Sequence, residues 1–119
     1  MNIIKRAIRD LSPVEYYRMH LSIVHNFFPE QLANKELETL AHFMSLEGDI
    51  VDRDRFGTQA RKIVMERMNI KPGGLGNYLR FLREKKYIYE KDGKFHINPY
   101  ILSDSQQQGY QFLITKKKQ

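Results

Sequence analysis

The sequence predicts a mainly α fold with one small β-hairpin, an α+β chain, on three observations. Apolar residues recur at helical spacing in four successive segments. A Pro72-Gly73-Gly74 break separates the third segment from the fourth. Asp92-Gly93 then falls between residues of high β-propensity, and both tolerate the positive φ that a tight hairpin needs.

The first helix opens at Ser12-Pro13-Val14-Glu15. Ser12 can cap, Pro13 suits the first helical position and Glu15 completes a capping box. Val14, Tyr17, Leu21, Val24 and Phe28 form one stripe, and Pro29 ends the helix, expected over 13–28. A second face carries Tyr16, Met19, Ile23 and Phe27. A helix apolar around so much of its girth is deeply buried or lies in an oligomer interface, with a homodimer through this helix as one expected use.

Asn34 is the expected N-cap of the second helix, with Leu37, Leu40, Ala41 and Met44 inward and Gly48 as its end. Residues 47–55 read as a charged loop. The third helix turns Ala60, Ile63, Val64 and Met68 inward, and the fourth turns in Leu75, Tyr78, Leu79 and Leu82. Strands at 87–89 and 95–97 flank the hairpin tip, and Asn98-Pro99 closes the domain. The polar run 103–109 reads as loop, and 110–115 as a short extra strand. The expected division is a basic arm at 1–11, one domain at 12–102, and a polar, basic tail at 103–119.

At 119 residues and 41% hydrophobic content, the chain supports a single core. No stretch approaches the ~20 apolar residues needed to span a bilayer. The start interleaves basic and apolar residues and lacks the apolar block of a secretory signal. With no cysteine, disulfides, thiolate–zinc sites and cysteine nucleophiles are excluded. The expected location is therefore cytoplasmic.

Charge is unevenly placed. Residues 10–52 hold eight acidic and two basic side chains, whereas 53–94 hold twelve basic and five acidic. Lysines and arginines also cluster at both ends. A positive potential over the second half attracts polyanions.

Enzyme constellations are missing from the pattern. His20 and His25 are poorly spaced for chelation, and His42 and His96 have no adjacent ligands, so packed, hydrogen-bonded histidines are expected. Asp49, Asp52 and Asp54 do not match a calcium loop. Gly73-Gly74-Leu75-Gly76 follows no strand, as a dinucleotide fingerprint must. No catalytic residue, metal or cofactor is expected.

The third and fourth helices with the hairpin supply the binding candidates. Opposite the inward set of the fourth helix lie Gly73, Gly74, Gly76, Asn77, Arg80 and Arg83. Asn77 is suited to adenine and Arg80 to guanine, at about 1–3 kcal/mol of discrimination each. Arg61, Lys62, Arg67 and Lys71 are candidate phosphate contacts, joined by Lys91 and Lys94 at the hairpin tip. The glycines admit three accounts: bare amides approaching a phosphate, an absence of base readout, or tight packing on another protein.

Helix, turn, helix and hairpin in this order is the layout of a winged helix. The run from Asn34 to Ile97 resembles winged helix-turn-helix proteins, with residues 75–88 similar to the family's recognition helix entering its wing. Gly76 stands where serine or threonine is common, and Lys86 where glycine often lies. The Asn34-Lys35-Glu36-Leu37-Glu38 helix start and the short length also look similar to small phage-encoded members, which would place the chain in the host cytoplasm or the virion. The resemblance implies a non-enzymatic, double-stranded-DNA-binding regulator. The alternative is a structural or adaptor protein, such as a phage particle component, using the same scaffold for protein contacts.

Overall fold

The computed structural model describes every residue except 104, 105 and 119. Asp104 and Ser105, in the expected polar loop, thus lie outside the described residues. Among those described are five α-helices and one two-stranded antiparallel sheet.

Helix α1 (Pro13–Val24) starts as its sequence requires: the Glu15 amide donates to Ser12 Oγ at 3.3 Å, and Glu15 Oε1 accepts the Ser12 amide at 3.2 Å. The α-helix stops at Val24, and a 3-10 turn (His25–Phe27) carries the chain to Phe28, which is extended before Pro29. Leu21 is fully buried at the centre of the stripe, with Val14, Tyr17, Val24 and Phe28 packed around it.

Helix α2 (Asn34–Met44) begins one residue earlier than expected, with Ala33 as N-cap. Ala33 has no side-chain oxygen, so only half of a capping box forms, its amide donating to Glu36 Oε1 at 3.0 Å. The helix also ends earlier, at Met44. Gly48, expected as its stop, instead caps α3 (Asp49–Asp54), a short helix where the sequence reading has a loop. Gly48 sits at φ 83°, ψ −155°, a conformation open to glycine and strained for other residues. Arg55 closes the free end of α2 by donating to the carbonyls of Phe43, Met44 and Leu46.

Helices α4 (Thr58–Met68) and α5 (Pro72–Glu84) follow, joined by a tight turn with Asn69 in the left-handed region at φ 52°. Ala60, Val64, Leu75, Leu79 and Leu82 are buried. Ile63 and Met68 pack partly against that core, and Tyr78, expected inward, is half-buried at its margin. Helix α2 lies at the centre and touches α1, α4 and α5. Burial of residues such as Leu40 and Leu82, both at 0% exposure, stabilises the fold by about 1.5–3 kcal/mol each.

Strands β1 (Ile88–Lys91) and β2 (Lys94–Ile97) pair with Ile88 opposite Ile97 and Lys91 opposite Lys94. Asp92 and Gly93 both take positive φ, at 55° and 75°, as a two-residue hairpin turn demands. Tyr87 precedes the strand as a core pin. Its ring stacks on Phe28 at 4.2 Å, and its hydroxyl donates to the Glu30 carbonyl at 2.7 Å. Burial pushes that hydroxyl up to about 12. After β2, the 3-10 turn Pro99–Ile101 seats Ile101 in the core.

No strand forms at 110–115. Among the described residues, no helix is long and apolar enough to cross a membrane.

Candidate nucleic-acid interface

Helix periodicity divides α5 into two sides. Leu75, Leu79 and Leu82 anchor one side in the core. Gly73, Asn77, Arg80 and Arg83, spaced three or four apart, form an exposed opposite stripe together with Gly76, with Gly74 half-buried at its edge. Pro72 takes the first helical position, where its missing amide costs nothing. Lys71 is the N-cap and makes no side-chain capping bond, and the first turn carries no acidic residue. The positive end of the helix dipole is thus left without an anionic partner from the helix's own first turn.

The glycines have no intramolecular explanation. A Cβ built on Gly73, Gly74 or Gly76 meets nothing within 4 Å, and none of the three takes a left-handed φ. Neither packing nor backbone conformation calls for glycine there. Each lowers helix propensity by up to about 1 kcal/mol relative to alanine.

The structure sorts the cations by what their side chains touch. Lys62, Lys71, Arg80 and Lys91 are exposed, with the Arg80 guanidinium 5.0 Å from the adjacent Phe81 ring. Arg83 lies 3.8 Å from Glu90, a solvent-exposed pair tying α5 to β1. Arg61 turns inward: its Nε donates to the Phe56 carbonyl at 2.7 Å, and its guanidinium lies 5.8 Å from the Phe95 ring. Lys94 reaches back to the α3 end, donating to the Arg53 carbonyl at 3.0 Å. Arg61 and Lys94 therefore fasten the hairpin to the helices, while Lys91 stands at its tip.

Two features escaped the sequence reading. Lys86 is exposed at φ 73°, where glycine is the easier occupant, and it adds a cation at the exit of α5. Lys85, counted among the basic residues, is half-buried and bonded to Glu36 at 2.6 Å. A charge count along the chain registers both lysines alike. The left-handed position after α5 was the available signal for Lys86, since the resembled family often has glycine there.

The second face of α1 is partly covered by the chain's own ends. Tyr16 meets Tyr17 edge-on at 5.1 Å, Ile23 is half-buried, and Met19 and Phe27 are 39% and 66% exposed. His20 is buried. Its Nε2–H donates to the Ile101 carbonyl at 2.6 Å, and its Nδ1 accepts the Tyr110 hydroxyl. Burial holds the ring's pKa below the usual histidine value, which favours the neutral form these bonds require. His25 Nδ1 accepts the Leu32 amide at 3.0 Å. His42 lies 3.4 Å from Glu38, with its Nδ1 buried and without a hydrogen-bond partner among the described residues, and His96 stacks on Tyr89. Among the described residues, no group of three or more His, Cys, Asp or Glu side chains is placed to hold a metal ion.

The fold and this surface define a mainly helical α+β protein with a cationic, side-chain-poor helix face. Comparison with known proteins finds no matching family model, no matching curated protein and no matching solved structure.

Proposed function

We propose that the chain is a non-enzymatic winged-helix protein that binds double-stranded DNA, acting as a small transcriptional regulator. The observation that carries this reading is the exposed stripe of α5. Three glycines unneeded by the fold lie among Lys71, Asn77, Arg80 and Arg83. Their missing side chains admit close approach by a phosphate backbone, which the bare amides of the first turn can bind. Asn77 and Arg80 lie nearest the bases in this reading, Lys71 and Lys62 meet phosphates, and Lys91 reaches them from the hairpin.

Fluorescence anisotropy with a labelled duplex tests it. Replacing Lys71 and Arg80 by alanine together weakens binding several-fold at low salt. Unchanged binding rejects this surface. The second reading, an adaptor or particle component, is favoured by the exposed apolar residues of the tail, with Leu113 at 77% and Ile114 at 91% exposure. It predicts no duplex binding at low salt.

A further inference from the structure

The two ends of the chain share a composition that the core does not use. Seven of the twelve large apolar side chains exposed among the described residues fall within 1–8 and 112–114. Ile3 and Ile4 are 66% and 96% exposed, and neither joins the hydrophobic core. Each end also carries three cations. Lys5, Arg6 and Arg9 lie in the first, and Lys116, Lys117 and Lys118 in the second. Residues 1–10 and 110–118 together set these six cations against one carboxylate, Asp10. The fold brings both ends to one side of α1. Tyr110 bonds to His20 and Phe112 stacks on Phe27 at 5.0 Å, which lays the tail along that helix. Residues 6–11 and 106–108 border the same groove over Met19 and Ile23.

We propose that the two ends form a docking surface for an anionic lipid bilayer, with apolar side chains entering the interface and the lysines and arginines meeting headgroups. The combination of features selects this partner. A nucleic acid engages the cations through its phosphates but gives Ile3, Ile4, Leu113 and Ile114 nothing to bury against. The buried centre of a protein interface takes apolar side chains but is depleted of lysine. An anionic bilayer uses both at once, because hydrocarbon lies directly beneath its charged headgroups and long basic side chains reach up from apolar positions. Adsorption of this kind requires no spanning helix. Two segments matter, since a single one holds a membrane only marginally. The second, tethered through the same fold, acts at high effective concentration once the first is seated.

Co-sedimentation of the full chain with vesicles tests it, comparing phosphatidylcholine alone with phosphatidylcholine containing phosphatidylglycerol. The wild type pellets with the anionic vesicles at low salt and stays in solution with the neutral ones. Lys116→Gln, Lys117→Gln and Lys118→Gln together weaken binding about a hundredfold. Leu113→Ser with Ile114→Ser weakens it by at least about tenfold and leaves duplex affinity unchanged. All five positions are exposed and outside any helix or strand, so both variants keep the circular dichroism of the wild type. No binding to anionic vesicles, equal binding to neutral ones, or a serine variant that binds as the wild type does overturns the lipid surface. A serine variant that loses duplex and vesicle binding alike assigns the ends to nucleic acid and also overturns it. The α5 positions are untouched in every variant, so a negative vesicle result leaves the duplex-binding reading standing.

Discussion

Glycine does opposite things at different positions of this chain. Gly48 holds φ 83°, ψ −155°, so an added Cβ is strained even though no neighbour lies within 4 Å. Gly76 lies inside α5 in ordinary helical backbone with the same open space. Gly48→Ala is therefore expected to destabilise the fold by about 1–3 kcal/mol. Gly76→Ala is expected to stabilise it by about 1 kcal/mol. Urea denaturation of the two variants checks both signs, and a destabilised Gly76→Ala would refute the claim that the fold does not need that glycine. Sequence reading identified the oddity at 73, 74 and 76, because helix propensity is a local property. It assigned Gly48 the wrong helix, because a left-handed glycine can close one element or open the next.

The elements are held together by polar fasteners that pattern analysis does not register. Lys85 joins α5 to α2 through Glu36 and also donates to the Gln31 carbonyl at 3.0 Å. Arg18 joins α1 to α2 by a two-pronged contact with Glu38, at 2.8 and 2.6 Å. Glu36 is nearly buried, so Glu36→Ala leaves the Lys85 ammonium without its carboxylate. The expected loss is about 2 kcal/mol, below the full range for a buried pair because Lys85 keeps some contact with water. A thermal or urea melt measures it, and a loss near zero would show that the Gln31 carbonyl suffices. The apolar stripes, the capping box at Ser12 and the hairpin turn were legible, since each depends on spacing or on a residue's own backbone preference. The α3 helix and the absence of a strand at 110–115 were not, because both depend on what the rest of the chain packs against them. For the same reason Arg61 and Lys94 read as phosphate contacts in the sequence, although their partners, the carbonyls of Phe56 and Arg53, are visible only in three dimensions.

Across the whole molecule, protonation sets the pH range over which the fold is stable. His20 and His42 are both shifted below the ordinary histidine value of 6.5, chiefly by burial, which at His42 outweighs the opposing pull of Glu38. A depressed folded-state pKa means that the unfolded chain binds protons first as pH falls. The stability these rings contribute is full above about pH 6.5 and is lost progressively below it. The depressed carboxylates act in a lower window: Glu38, held down mainly by its hydrogen bonds from Arg18, contributes fully above the ordinary carboxylate value of 4.5 and loses that contribution only as pH falls further. Urea midpoints should therefore already decline between about pH 6.5 and 5, and a flat profile there would contradict the histidine assignment. The proposed function requires that the exposed side of α5 and the hairpin tip face a polyanion. Its most direct test is the salt dependence of duplex binding, comparing the wild-type chain with Lys71→Ala, Arg80→Ala and Lys91→Ala combined. The wild type should show affinity falling linearly on logarithmic axes, and the triple variant a slope shallower by about 2, for the two phosphate contacts of Lys71 and Lys91, with a further loss of affinity from Arg80. Equal slopes, or no wild-type binding at low salt, would contradict it.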